Sequence, residues 1–349
     1  MKVAVLLSGG VDSSVVLAQL KSDEHDVTAF YLKVWLEDEV AYLGNCPWEE
    51  DLNYVRSICN KFNVPLEVVS LQQEYYESVV EYVLTELKAG RTPSSDLFCN
   101  RDIKFGVFLG RFGKDFDKVA SGHYASIRNG GEKVHLIRGV DPIKDQTYFL
   151  ARLSQEQLRR SLFLLGPYHK TEVRTLAETY NLPNKDRKDS QGICFLGKIK
   201  YHEFIRYNLG EKSGKIVERE TGKTLGEHEG YWFYTIGQRQ GLGLPGGPWY
   251  VVEKNVEQNI LYVTHAQQLE HNRKTAFKVG QLHWIADVPV KRELTTKIRH
   301  SEHLYPCKIE WDADATLRVV LNGSDPGIAA GQFSVFYDGE ECLGSGVIL

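Results

Sequence analysis

The apolar run Val3-Ala4-Val5-Leu6-Leu7 stops at Ser8-Gly9-Gly10-Val11-Asp12-Ser13-Ser14, and helical sequence follows. A buried strand that ends in bare backbone and reopens as a helix is the turn at which an open α/β sheet holds a ligand. Glycines leave backbone N–H groups uncovered, successive N–H groups form an anion-binding concavity, and a helix N-terminus adds partial positive charge. Ser8, Ser13 and Ser14 supply hydroxyls. Asp12 is a carboxylate in an anion site, which makes sense if a divalent cation such as Mg2+ accompanies the phosphate. An ordinary tight turn with a serine cap is the plainer reading; the full Ser-Gly-Gly-x-Asp-Ser-Ser pattern favours phosphate.

The first third of the chain alternates. "KVAVLL", "VTAFYLKV", "PLEVVSL" and "KVASGHY" read as strands. Between them, residues 13–21 read as a helix with Val15, Val16 and Leu20 inward, and "EEDLNYVRSICNKF" places Leu52, Val55, Ile58, Cys59 and Phe62 on one helical face. "EYYESVVEYVLTELKAG" reads as a long helix stopped by Gly90. This alternation predicts an α/β fold with a doubly wound parallel sheet. The glycine turn, the end of the second strand and "SGHY" should share one crevice at the carboxyl ends of the strands. Residues 154–205 read as helical around a loop, "LPNKDRKDSQGICF". From about residue 210 the sequence turns to glycine, aromatics and short β-like runs, and from about 275 to six short strands that predict an antiparallel β-barrel. The expected division is a catalytic domain over 1–205, a small β-rich domain over 206–274 and a barrel over 275–349. A Gly-x-x-x-x-Gly-Lys-Ser/Thr loop is absent; Gly241, Gly243 and Gly246 match Gly-x-Gly-x-x-Gly, but Pro245 and the strand-like "PWYVVE" make that match a decoy.

With 349 residues, 42% apolar and 25% charged, the composition is that of a globular protein of two or three domains. No run approaches a membrane span, and because the first strand begins at once, no signal or transit peptide is expected. The expectation is a cytoplasmic protein with free thiols, or one of an organelle matrix or stroma after loss of a transit peptide. The six cysteines form no Cys-x-x-Cys pair, which excludes the usual structural zinc pattern. The net charge is −4, yet residues 144–206 hold twelve Lys/Arg against seven Asp/Glu. Such a basic segment in an acidic chain reads either as a polyanion footprint or as solvated helix faces.

Two cysteines stand out. In "RTPSSDLFCNRDIKFG", Asp96 is placed to cap a helix and put Cys99 in its first turn, where the helix dipole, Arg101 and Lys104 would favour thiolate. The alternative is a plain cap and a small apolar filler. In "RKDSQGICFLG", Cys194 follows a basic run in a loop beside Gly192, an exposed electropositive setting that suits a nucleophile. Cys59 and Cys307 have core spacing, Cys342 lies in the last strand, and Cys46 leans towards a structural role.

"SGGVDSS" resembles the loop of the ATP pyrophosphatases, enzymes that split ATP between its α- and β-phosphates. "LLSGGVDSS", "AGRTPSSDLFCN", "SGHYA", "KDQTYFL", "KDSQGICF", "TIGQRQGLG" and "PWYVVEKNVEQNILYV" occur in that order, and with them the whole chain resembles the bacterial and organellar tRNA-specific 2-thiouridylases. That resemblance implies ATP-dependent adenylation of the 2-oxygen of a tRNA wobble uridine, release of pyrophosphate, and thiolation through a persulfide on Cys194. It implies Cys99 as the partner nucleophile, closing a transient disulfide with Cys194, Asp96 as acid/base, and a sulfur-donor protein as partner. The implied ATP site is Leu6, Leu7, Ser8, Gly9, Gly10, Val11, Asp12, Ser13, Leu32 and Gly122. The implied tRNA contacts are Ser94, Ser95, Asp96, His123, Lys144, Asp145, Gln146, Arg299, His300 and Gln332. An iron–sulfur cluster on Asp96, Cys99 and Cys194, argued for some thiolating relatives, ranks below the persulfide because no cluster spacing is present. Two departures are visible: Ser94-Ser95-Asp96 stands where relatives often have Asn-Pro-Asp, and Arg299-His300 where they more often have Arg-Tyr. A metabolite-adenylating enzyme and an RNA-binding protein without chemistry are the competing readings; the latter sits poorly with intact Asp12, Asp96, Cys99 and Cys194.

Overall fold

The computed structural model describes residues 1–34, 48–188 and 201–349. Strand β1 (Lys2–Leu6) pairs in parallel with β2 (Asp26–Lys33), which pairs with β3 (Leu66–Ser70); on its other side β1 pairs with β4 (Lys118–Ser121). A hairpin of β5 (Ala125–Asn129) and β6 (Val134–Arg138) follows, and β7 (Ser161–Phe163) completes the sheet, in order β3-β2-β1-β4-β7.

Val3 to Leu6 are all buried, because both faces of a parallel sheet are covered; this is why the first strand reads as one apolar run. Val3, Val5 and Leu7 face α1 (Val11–Ser22), α2 (Trp48–Phe62) and the later α6 (Lys170–Thr179), with Val15, Val55, Ile58 and Val173 filling the interface. Ala4 and Leu6 face the opposite cluster, which includes Val79, Val83, Ile103 and Phe108 from α3 (residues 72–88) and α4 (residues 95–111). Both of these helices contain a π-helical stretch, Tyr76–Val80 in one and Cys99–Val107 in the other.

The helical reading of residues 154–205 needs one correction before its loop. Helix α5 (Gln155–Arg160) has a Ser154/Gln157 capping box, but it stops at β7, which pairs with β4 through Val119↔Ser161 to Ser121↔Phe163. Three residues carry no readable period, so pairing with β4, rather than local pattern, sets their conformation.

Helix α7 (Tyr201–Leu209) leads to a four-stranded sheet of β8 (Gly214–Glu218), β9 (Thr224–His228), β10 (Trp249–Asn255) and β11 (Ile260–His265), in order β10-β11-β8-β9. Gly241, Gly243 and Gly246 all have positive φ and run into β10, as the decoy reading expects. The six remaining strands are β12 (Lys274–Trp284), β13 (Glu293–Lys297), β14 (Tyr305–Trp311), β15 (Leu317–Asp325), β16 (Phe333–Asp338) and β17 (Glu341–Ile348). They run β12-β15-β14-β13-β16-β17, and β12 also pairs with β17, closing an antiparallel barrel around Val279, Ile309, Val319 and Phe336. The sequence held no sign of one further pairing. Hairpin strand β6 pairs with β17 through Ile137↔Glu341 and Leu136↔Cys342, so a piece of the first module extends the barrel sheet. Among the described residues no helix is long and apolar enough to cross a membrane.

Candidate active site

Helix α1 begins with Gly10 in extended conformation as its N-cap, and no side chain caps it. Ser14 Oγ donates to Gly10 O (2.8 Å), and Ser8 N donates to Ser13 Oγ (3.3 Å), which ties the turn to the head of the helix. Gly9 has φ +78°, and its carbonyl accepts from Asn184 Nδ2 (2.8 Å) and Arg187 Nη1 (2.9 Å). Arg187 also pairs with Asp51. A Cβ on Gly122 would lie 2.7 Å from Ser13 N, so only glycine there lets the segment after β4 close on the start of α1. Asp12 Oδ1 accepts from Lys170 Nζ (2.7 Å) and Tyr124 Oη (2.9 Å), so a cation already stands beside the carboxylate. An uncapped helix start, bare glycine backbone and a flanking ammonium together suit the phosphates of a nucleotide.

A cavity of about 380 Å³ opens over this turn. Its wall includes Leu6, Leu7, Ser8, Gly10, Val11, Asp12 and Ser13, together with Leu32, Gly122, His123, Lys144, Gln146 and Cys99. The three loops expected to share a crevice do so. Gly9 belongs to the turn but is not in the wall; its carbonyl is held from behind by Asn184 and Arg187.

The helix carrying Cys99 starts earlier than the sequence suggested. Ser94 is the N-cap, Ser95–Phe98 form the first turn, and Cys99 opens the π-helical stretch rather than lying in the first turn; Asp96 sits inside the turn and is not its cap. Ser94, Ser95 and Asp96 are all capping residue types, so the sequence cannot choose among them. The π-helical stretch puts Cys99, Ile103 and Lys104 on the cavity wall. π-helical turns are rare, and are found frequently at functional sites. Cys99 is buried. Asp96 is half-buried; burial raises its carboxyl above the ordinary range, and nearby Lys104 offsets this only in part. His123 is held well below its usual value by burial and by Lys104, and is therefore neutral at pH 7; its Nδ1 lies 2.7 Å from Ser121 Oγ.

The other expected nucleic-acid contacts fall into two groups. Lys144 and Gln146 reach the cavity, whereas Asp145 between them is fully buried. Ser94, Ser95, Asp96, Arg299, His300 and Gln332 lie outside the wall. Gln332 adjoins Gly331, whose φ of +90° and close approach to Thr92 bring the barrel against the 91–96 segment; Thr92 N donates to Ala330 O (2.8 Å). Arg299 pairs with Asp325 and donates to Gly327 O (3.1 Å). His300 stacks on Phe149 at 4.4 Å between ring centroids, and its Nε2 lies 3.3 Å from Asp145 O.

Cys59 and Cys307 are buried, as their core spacing expects, and Cys342 in the last strand is buried as well. Burial pushes the thiols of Cys59 and Cys307 up to about 11 and about 12, and Cys342 is raised further by the same cause, which leaves all three unreactive at neutral pH. Cys46, Gly192 and Cys194 lie outside the described residues. Among the described residues no three His, Cys, Asp or Glu side chains stand close enough to hold a metal ion. Sequence reasoning missed Tyr124, Lys170, Asn184 and Arg187 around the turn. The only trace of Lys170 and Arg187 was the positive charge of residues 144–206.

Three family profiles match in succession: a tRNA methyl transferase HUP domain over residues 1–198, a tRNA methyl transferase PRC-barrel domain over 202–265, and an aminomethyltransferase beta-barrel domain over 274–348. The chain is 46% identical to a tRNA-specific 2-thiouridylase MnmA of Parabacteroides distasonis, covering 100% of this chain and 99% of the relative. It is 45% identical, over the same shares, to a tRNA-specific 2-thiouridylase of Bacteroides thetaiotaomicron. A solved U34-tRNA thiolase of Methanococcus maripaludis with a [4Fe-4S] cluster is 16% identical, with a TM-score of 0.35, covering 60% of this chain and 66% of that one.

Proposed function

Because this chain belongs to the tRNA-specific 2-thiouridylase family, we propose that its cavity is where ATP, a flipped-out wobble uridine and two cysteines meet. The chain is a tRNA-uridine 2-sulfurtransferase. The observation that carries the site assignment is the single cavity whose wall joins the Ser8–Ser13 turn, Leu32 and Gly122 to Cys99.

In this reading the turn from Leu6 to Ser13, with Leu32 and Gly122, binds ATP, and Lys170 beside Asp12 helps balance the phosphate charge. Mg2+ bound with the nucleotide would neutralise phosphate charge further, and Asp12 is the residue that would hold it. The uridine 2-oxygen attacks the α-phosphate; pyrophosphate leaves, and the base carries AMP in place of a poor leaving group. A single-stranded anticodon loop allows such a base to be splayed out, which an A-form helix does not. The terminal sulfur of a Cys194 persulfide attacks C2 and expels AMP. The Cys99 thiolate then attacks the Cys194 sulfur. The S–S bond to the transferred sulfur breaks, its electron pair stays on the new 2-thiouridine, and Cys99 and Cys194 are left as a disulfide. A dithiol reductant resets the pair, and a sulfur-donor protein reloads Cys194. Asp96 lies outside the cavity wall, three residues before Cys99 on the same helix, and with its carboxyl raised by burial it serves as the acid/base group once the base is bound. Ser94, Ser95, His123, Lys144, Gln146, Arg299, His300 and Gln332 form the tRNA-facing surface. The cytoplasm is the compartment this chemistry fits.

The test is product analysis with unmodified tRNA, ATP and a persulfide donor. One AMP and one pyrophosphate for each 2-thiouridine supports the reading; tRNA-dependent ADP overturns it.

A further inference from the structure

Asp145 and Lys297 are both completely shielded from solvent, and Lys297 Nζ lies 2.9 Å from Asp145 Oδ2. Arg138 Nε donates to the same oxygen (3.1 Å). Asp145 Oδ1 accepts from Thr147 Oγ1 (2.7 Å), Thr147 N (3.2 Å) and Gly139 N (3.3 Å). Burial alone would raise this carboxyl, but Lys297, Thr147 and Arg138 outweigh it and hold the group below its ordinary range. The ammonium of Lys297 and the guanidinium of Arg138 also lie over the ring of Tyr337, at 5.9 and 5.6 Å. A buried ion pair is tolerated only when its partners are satisfied to this degree, and losing one partner strands a charge.

The three charged groups come from different parts of the chain. Lys297 ends barrel strand β13, Arg138 ends hairpin strand β6, and Asp145 lies between two residues of the cavity wall, Lys144 and Gln146. Beyond β13, His300 holds the Asp145 carbonyl. On the cavity side, Gln146 N donates to Tyr124 O (3.0 Å), Gln146 Oε1 accepts from Tyr124 N (3.1 Å), and the Tyr124 hydroxyl reaches Asp12. Asp141 closes the same loop, accepting from Ile143 N (3.0 Å), Lys144 N (3.2 Å) and Lys170 N (3.0 Å).

We propose that Asp145 and Lys297 are positioning residues. They seat the C-terminal barrel on the 141–146 loop and so fix Lys144 and Gln146 in the cavity wall, which makes barrel docking a condition of turnover. Asp145 then acts from behind the nucleic-acid surface and does not touch tRNA. This rests on the thiolation reading above.

The test is a double-mutant cycle on single-turnover thiolation, using the full chain with Lys297→Met, Lys144→Ala and both together. Positioning predicts that each change slows the reaction and that Lys144→Ala costs at least about threefold less once Lys297 is gone. Effects that multiply to within about twofold overturn the proposal. Asp145→Leu combined with Lys297→Met separates positioning from stability, since an apolar pair can replace a buried ion pair without loss of stability. Thermal stability near wild type with thiolation still impaired is the expected result; full recovery of both overturns the proposal. Hydrogen exchange does not depend on turnover. Faster exchange at the Gly139 and Thr147 amides in Lys297→Met is expected, and unchanged exchange overturns the proposal. A wild-type chain that makes no 2-thiouridine would overturn the functional reading alone, with hydrogen exchange still deciding whether Lys297 holds the loop.

Discussion

Around the phosphate turn, Lys170 and Asp12 keep 15% and 30% of their side chains exposed at an open cavity; in the barrel seam, Lys297 and Asp145 keep none. The two ion pairs have similar lengths, 2.7 and 2.9 Å, but different surroundings. Beside water, an ion pair is worth little to stability, and its charges remain able to answer to a ligand. In the seam, the same pair is strongly coupled and can answer only to its neighbours. Charge at the turn is therefore read as chemistry and charge at the seam as architecture. Changes at the turn should alter activity with little effect on folding, and changes in the cores should do the reverse.

Asp96 gives the largest expected contrast, because it belongs to both kinds of region. If it is the acid/base group, Asp96→Asn lowers single-turnover thiolation by about 10²–10⁴-fold. Its folded-state carboxyl is raised by burial, which fixes the sign of its effect on stability. Below the ordinary aspartate range both folded and unfolded states hold the proton, and burial carries no penalty from this group. As pH rises through the raised folded value, the folded state must hold a poorly solvated carboxylate and loses stability relative to the asparagine variant. Melting temperatures across pH should therefore favour Asp96→Asn at neutral pH and converge in acid. The opposite trend would mean that Asp96 is paired and not strained.

The next effect tests the turn itself. If Asp12 holds the divalent cation that accompanies the nucleotide, Asp12→Ala should weaken ATP binding by roughly 10- to 100-fold, while the melting temperature hardly moves because the Asp12–Lys170 pair lies beside water. Calorimetric titration with a non-hydrolysable nucleotide checks it. Unchanged affinity would remove Asp12 from the nucleotide site.

Much of this was legible in the sequence, for reasons that differ along the chain. The strand–turn–helix over Ser8 to Ser14 could be read because its signals lie within a few consecutive residues, and the barrel because its strands keep local alternation. The seam could not be read. Asp145 meets Lys297 across 152 positions, and nothing near either residue marks the other. Lys170, Asn184 and Arg187 reach the turn from more than 150 residues away for the same reason. The helix start at Ser94 was obscured by redundancy, since three adjacent residues could each have served as the cap.

Smaller effects sharpen the same contrast. If Lys144 meets a tRNA phosphate, Lys144→Ala should reduce the salt dependence of tRNA binding by roughly 0.7–0.9 in the slope of log K against log salt, as one counterion release is lost. An unchanged slope measured by filter binding would remove Lys144 from the phosphate surface. At the small end, Cys307→Ser places a hydroxyl in the barrel core and should cost about 1–3 kcal/mol of stability in denaturant titration, with thiolation per folded molecule unchanged. A loss of specific activity there would blur the division between chemistry and architecture.

The proposed reaction turns on sulfur passing through Cys99 and Cys194 at this cavity. The most direct measurement is single-turnover thiolation of one tRNA transcript by wild type, Cys99→Ser, Cys194→Ser and Cys59→Ser, each preloaded with a persulfide donor and ATP. Wild type and Cys59→Ser should yield 2-thiouridine, the other two none, with ATP binding retained in all four. Full thiolation by Cys99→Ser or by Cys194→Ser would contradict this route.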